Sequence, residues 1–316
     1  MITRFINTHT ANIRETQPAK EESSGSAPAG QDISRFPVVC RPYDLSRESI
    51  PWHWHDEMEA FLVTDGTAAF TIGARQYQVR EGEGAVINTD VLHAAWTAEE
   101  AGRECRVHSI VFHPGLIGGN AGSIFWQNYL FPLTGEQAPR YILLDRSAPW
   151  HLDGLYAMES AWHSYMHPGE GYEFRIRSAL SQLIIQLTGH LAQIPLEAPG
   201  KKELRDESRI KLMLQYIQSA YDTDITAKKI AENASISESE CLRCFRSTIG
   251  MPPVQYVKWY RIQKAAQLLL STNWKIAEIS AHCGFQDTSY FVKTFRELKG
   301  RTPGEYRKSS SGSRPS

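Results

Sequence analysis

The residues in this chain best suited to chemistry near the N-terminal side are His53, His55, Glu59 and His93. His53-Trp54-His55 sets two imidazoles two residues apart, which in a β-strand turns both to one face. Glu59 lies four residues past His55 and keeps that parity. A later strand carrying His93 would complete three histidines and one carboxylate, a donor set suited to Fe, Mn, Ni or Zn. The same four side chains can instead line a pocket or cap a barrel mouth by hydrogen bonding, and the residues alone leave both readings open. Trp52, Tyr77 and Trp96 add aromatic faces that suit a sugar or another small organic ligand. They are equally what an aromatic-rich barrel core contains. No cofactor is expected, and a metal on the His/Glu set stands as the alternative.

A second chemistry-bearing group lies near the other end and occurs twice. Aligned with itself at an offset of 50, the chain matches Phe245-Arg246, Gly250, Pro253 and Tyr256 to Phe295-Arg296, Gly300, Pro303 and Tyr306. Each copy reads as a short helix, a tight turn and a second helix. Ser237 and Asp287 stand at equivalent N-cap positions. Helical spacing sorts the second helices into two faces. Cys241, Cys244, Phe245 and Thr248, matched by Phe291, Thr294, Phe295 and Leu298, form the face expected in the core. Ser239, Leu242, Arg243 and Arg246, matched by Ser289, Val292, Lys293 and Arg296, form the opposite one. Arg243 and Lys293 can reach guanine edges, and Leu242 and Val292 can touch thymine methyls. One amphipathic helix with a polar face says little; the same face in the same turn-and-cap setting, twice, points to paired groove insertion.

The elements that must position these groups follow from patterning. Between about Phe36 and Phe112, short β-type runs alternate with turn signals such as Asp65-Gly66, Gly73 and Glu81-Gly82, which predicts a sandwich or barrel. Residues 113–150 carry no clear period. Apolar residues then recur at helical spacing over 152–166 and 172–193, among them Leu155, Met158, Leu180 and Leu183. Pro195, Pro199 and Gly200 close that region, and KKELRDE after them reads as linker or helix start. A helix over Val254–Leu270 joins the two C-terminal units.

Composition excludes several classes. Of 316 residues, 41% are apolar and 22% charged, as in an ordinary globular protein of about two domains. No apolar run is long enough to span a membrane, and the N-terminus lacks the apolar segment of an export signal, so a cytoplasmic protein is expected. Five cysteines in so long a chain make no disulfide framework, and the Cys241/Cys244 pair sits mid-helix, where packing is the default. No Gly-rich phosphate loop and no Gly-x-Ser-x-Gly elbow occurs, so no catalytic residue and no enzyme is expected. Net charge is −1, yet residues 204–308 carry 17 Lys and Arg against 11 Asp and Glu, a balance of +6 that leaves −7 elsewhere. Only the C-terminal third is suited to face phosphate.

Residues 208–308 resemble the DNA-binding domain of AraC/XylS-type transcription regulators. The resemblance rests on the duplicated unit, the joining helix and a closing signature: Gly284-Phe285, Ser289-Tyr290-Phe291, Phe295, Gly300, Thr302-Pro303 and Tyr306-Arg307. Ser235 stands where the first turn of the family usually has Gly, and would strain that turn if it is left-handed. The resemblance implies base-reading positions at Glu238, Ser239, Leu242 and Arg243, and at Thr288, Ser289, Val292 and Lys293, with Arg246 and Arg296 on the same faces. Lys228, Lys258, Arg261, Arg301 and Arg307 are the phosphate-contact candidates. The His53/His55/Glu59, Gly66, Gly82, His93 series is similar to the cupin pattern, although Asn88 and Asp90 replace its Pro and Gly and Arg47 its leading Gly.

The expected whole is a multi-domain α+β chain. A disordered leader (1–31) precedes a cupin-like β-barrel (32–150) that binds an effector. Amphipathic helices (151–194) for homodimerisation, a linker (195–207), an all-α domain with two helix-turn-helix units (208–308) and a disordered tail (309–316) follow. The partners implied are promoter double-stranded DNA, a small-molecule effector such as a sugar and, for an activator, RNA polymerase. The alternative is a metal-dependent cupin enzyme or a metal sensor carrying a DNA-binding domain.

Overall fold

The chain folds as two units that meet in sequence at Pro199/Gly200. The computed structural model describes residues 36–311, apart from 74, 101–102, 136 and 196–198. The expected leader and residues 312–316 lie outside the described residues.

Among the described residues, the first unit has nine strands in two sheets. β1 (Val38–Asp44), β8 (Arg106–Phe112), β3 (Met58–Asp65), β6 (Gly84–Ile87) and β9 (Tyr141–Leu144) lie in that order in one sheet. β2 (Ile50–His53), β7 (His93–Thr97), β4 (Thr67–Ile72) and β5 (Arg75–Arg80) form the other. Every pairing is antiparallel. Alternation gives β3 two working faces. Phe61 and Val63 enter a core with Phe70, Val79, Ala85, Ile87 and Val107. Met58, Ala60 and Leu62 enter a second core on the sheet's other face.

That second core accounts for the helices. After α1 (Gly115–Gly118) and α2 (Phe131–Thr134), α3 (Pro149–Met166) and α4 (Tyr172–Gly189) bury Leu155, Met158, Ile176, Leu180, Leu183, Ile184 and Leu187 against the five-stranded sheet and each other. The apolar period read as a dimer seam is therefore largely occupied within the chain. Tyr156 (68% exposed) and Phe174 (76%) remain outside it.

The second unit is all helical. α5 (Lys201–Ala220) occupies most of the stretch read as linker, so the linker ends at Gly200 and 201–207 belong to this unit. Asp206 and Glu207, buried on α5, are the reason: they pack inward with Ile210, Met213 and Leu214. α6 (Ala227–Asn233) and α7 (Glu238–Cys244), continued by a wider π-type turn over Phe245–Ile249, make the first helix-turn-helix. α8 (Pro253–Ser271) joins it to α9 (Ile276–His282) and α10 (Thr288–Lys299), and α11 (Pro303–Ser311) closes the unit. The tail read as beginning at 309 is thus helical to Ser311. No described helix is long and apolar enough to cross a membrane.

Both recognition helices start on side-chain caps. Ser237 Oγ accepts from Glu240 N–H (3.2 Å) and Asp287 Oδ1 from Tyr290 N–H (2.6 Å). The two preceding turns differ in residue and not in shape: Ser235 has φ +54° and Gly284 +74°. The left-handed geometry that would strain Ser235 is present. Gly284 is required twice over, because a Cβ there would meet the Asp222 backbone at 2.9 Å. This contact packs the second turn on the segment leading into α6.

Candidate functional sites

The histidine and glutamate side chains expected to converge do converge. β2 and β7 pair His53 directly with His93. Between Ile50/Ala95 and His53/His93, two residues of β2 (Pro51 and Trp52) oppose one of β7 (Ala94), a bulge that re-aims His53. Glu59 projects from β3 of the other sheet, and His55 comes from the β2–β3 turn, whose carbonyl accepts from Asp90 N–H (2.8 Å). Glu59 and His93 are 2% and 1% exposed, and His53 lies at the open side.

One carboxylate oxygen collects all three rings. Glu59 Oε2 is 2.9 Å from His93 Nε2, 3.1 Å from His55 Nε2 and 3.6 Å from His53 Nε2. Its Oε1 accepts from Ser109 Oγ at 2.5 Å. The other ring nitrogens are committed. Nδ1 of His53, His55 and His93 donates to the carbonyls of Pro51 (2.8 Å), Glu57 (3.0 Å) and Val91 (2.7 Å). A carbonyl can only accept, so each Nδ1 carries its proton, and in a neutral ring Nε2 is left as a lone pair. Three lone pairs facing a carboxylate repel unless a proton or a metal cation lies among them. The four ligand atoms all lie within 4.8 Å of one another, and this donor set fits a divalent transition metal.

Titration follows the same crowding. Burial would raise Glu59, but the three histidine rings around it, which donate to it when protonated at Nε2, hold it well below the usual carboxylate range. Burial and the charge of His53 push His93 down to about 4. Burial opposes a charge on His55, yet Glu59 and Glu57 outweigh it and raise that ring.

The aromatic part of the expected pocket does not gather there as a set. Trp96 has the opposite strand parity to His93 and Ala95, so it leaves the sheet on the other face. Trp52 is buried. Tyr77 faces inward, cross-strand from Phe70, and hydrogen-bonds Tyr141 hydroxyl to hydroxyl at 2.6 Å. Phe61 lies between, with its ring 6.1 Å from His93 and 4.7 Å from Phe70. Ser109 and Tyr141 were missed in the sequence. Ser109, a polar residue among the apolar positions of β8, was the available signal.

In the C-terminal unit the recognition faces are arranged as read. Cys241, Cys244, Phe245, Phe291, Thr294 and Phe295 are buried. Glu238, Ser239, Arg243, Arg246, Thr288, Ser289, Lys293 and Arg296 are exposed, with Leu242 and Val292 half-buried. Leu298, expected in the core, is 42% exposed. Thr288, Ser289, Val292, Lys293 and Arg296 line one shallow groove with Glu297 and Thr302. Burial pushes the Cys241 thiol up to about 11, as suits a packed cysteine.

Two of the five phosphate candidates are occupied otherwise. Arg261 donates to the carbonyls of Tyr221 (2.7 Å) and Thr223 (2.6 Å), and Arg307 to those of Leu269 (3.2 Å) and Trp274 (2.7 Å). Each guanidinium satisfies carbonyls at and just beyond the end of the helix leading into a helix-turn-helix, a structural role the sequence reading did not give it. Lys228 and Arg301 are exposed and Lys258 is half-buried. Arg243 is also engaged: its guanidinium forks onto Asp206 of α5, a residue the sequence reading did not single out.

Comparison with known proteins agrees with both units. Residues 36–199 match the family model described as an AraC-like ligand binding domain, and 230–309 match one described as a helix-turn-helix domain. An uncharacterized HTH-type transcriptional regulator of Bacillus subtilis, YdeC, is 30% identical over 87% of this chain and 93% of its own length. The HTH-type transcriptional activator RhaR of Shigella dysenteriae is 25% identical over 85% and 89%. Among solved structures, fatty-acid-bound ToxT of Vibrio cholerae covers 88% of this chain and 98% of its own, with TM-score 0.47 and 13% identity.

Proposed function

Since the chain belongs to the AraC-type transcriptional regulators, with an AraC-like ligand-binding domain and a helix-turn-helix DNA-binding domain, we propose that it is a cytoplasmic, effector-controlled activator that binds promoter DNA as a homodimer. The carrying observation is the doubled recognition face, capped and exposed in both copies on one joining helix. Helices held on one rod enter successive major grooves about one DNA turn, roughly 34 Å, apart. Lys293 and Arg296 of the second copy read or anchor the duplex, while Lys228, Lys258 and Arg301 set affinity through phosphate. Activation through RNA polymerase takes its support from the activator RhaR, and a dimer seam from exposed Tyr156 and Phe174. The test is selection of duplexes from random-sequence DNA by the full-length protein. Enrichment of a two-part motif about one turn across supports the reading, and absence of any enriched motif refutes it.

The His53/His55/Glu59/His93 cluster favours a second reading of the effector, a divalent transition metal, because three Nε2 lone pairs and one carboxylate share a point. The four residues would hold the ion, which would supply the positive charge that their mutual repulsion demands. Elemental analysis of protein grown in metal-supplemented medium tests it. About one equivalent in the wild type, lost in His93→Ala and Glu59→Gln, supports a metal sensor. Equal content in all three excludes it.

A further inference from the structure

A guanine-reading arginine needs two adjacent N–H groups free to meet O6 and N7. Arg243 has no such adjacent pair free. Its Nη1 donates to Asp206 Oδ2 at 3.0 Å and its Nη2 to Asp206 Oδ1 at 3.2 Å, taking the terminal fork. The other edge shares Nη2, which also donates to Glu240 Oε1 at 3.3 Å. The side chain nonetheless lies at the surface, whereas the Asp206 carboxylate beneath it is nearly buried. An anchored acid thus holds a base-facing cation.

We propose that Asp206 is an intramolecular latch on the first recognition helix, keeping Arg243 off DNA until the pair opens. This rests on the DNA-binding reading above and deepens it. The pair can open without leaving a buried charge alone, since Arg209 (3.7 Å) and Arg205 (3.8 Å) also lie against Asp206. Arg209 further bridges to Glu240 at 2.6 Å, so both acids keep a cation when Arg243 departs. Asp206 sits on α5, the first helix of its unit and the one that follows the connection from the ligand-binding unit. Its place relative to α7 therefore decides whether the first helix-turn-helix reads bases or only the second does.

The experiment measures full-length protein binding to a duplex pool enriched by the wild type from random-sequence DNA, and to unenriched pool. A charge-assisted fork that no longer competes is worth about tenfold or more in affinity. Asp206→Asn is expected to tighten binding by that factor, and Asp206→Glu, which keeps the pair, to bind like wild type. Asp206→Asn combined with Arg243→Ala is expected to match Arg243→Ala alone. If the asparagine variant does not fold, Asp206→Ser, which is smaller and cannot fork, gives the same readout. Weakened or unchanged binding by the folded variant overturns the latch, as does a gain that survives loss of Arg243. If the wild type enriches no duplex, the DNA-binding reading falls and the latch with it.

Discussion

The two turns of the duplicated unit have the same backbone shape but different residues, so opposite substitutions should have opposite effects. At Gly284 an alanine pays the left-handed cost of about 1–2 kcal/mol at φ +74°. Its Cβ would also lie 2.9 Å from three backbone atoms of Asp222. Backbone cannot rotate out of the way as a flexible side chain can, and overpacking of this kind costs about 1–3 kcal/mol. Gly284→Ala is therefore expected to destabilise the α9–α10 region by about 2–5 kcal/mol. At Ser235 (φ +54°) a glycine removes the left-handed cost of about 1–2 kcal/mol and adds about 0.5–1 kcal/mol of chain entropy, for a net gain of about 0–1.5 kcal/mol. Hydrogen exchange of the Ile276–His282 and Thr288–Lys299 amides in the intact chain reads the first effect directly. At tenfold per 1.4 kcal/mol, exchange should quicken by roughly thirtyfold to four-thousandfold. A change below threefold in Gly284→Ala, or slower exchange, refutes the packing argument.

Arg261→Ala should destabilise its unit by about 1–3 kcal/mol by orphaning two carbonyls, while leaving the salt dependence of DNA binding unchanged. Arg301→Ala should do the reverse, lowering the salt slope by about 1 in a titration of affinity against salt. Lys293→Ala should cost about 1–3 kcal/mol at one half of the enriched motif and relax its sequence there, as read by repeating the selection. Arg243 holds the Asp206 carboxyl below its ordinary value, so the pair's stabilisation is full above about pH 4 and fades as pH falls through the lower folded value. Acid titration followed by circular dichroism should show a flatter low-pH limb in Asp206→Asn than in wild type.

Local rules carried the sequence reading where local physics decides. The spacing of His53, His55, Glu59 and His93 foretold their meeting, although His55 comes from a turn and His53 from a bulge and not from regular strand parity, and capping chemistry located Ser237 and Asp287. What escaped depends on partners distant along the chain. Arg261 and Arg307 look like any exposed cation until the carbonyls they satisfy, 33 to 40 residues away, are in place. Asp206 looked like linker because its burial comes from packing in this unit. The helices of 151–194 showed their apolar period truthfully, but a period does not say which surface it meets. Trp96 was grouped by residue type alone, and residue type does not give the strand parity that turns it away from His93.

β3 is wedged between unlike neighbourhoods. Glu59 faces the histidines on one side of its backbone, while Met58 and Ala60, adjacent in sequence, are locked among the α3 and α4 side chains on the other. Interiors packed as tightly as crystals barely compress. Whatever tugs on that carboxylate must drag its two flanking residues along. The strand thus joins the histidine cluster to the helical layer through adjacent residues, with no loop between them.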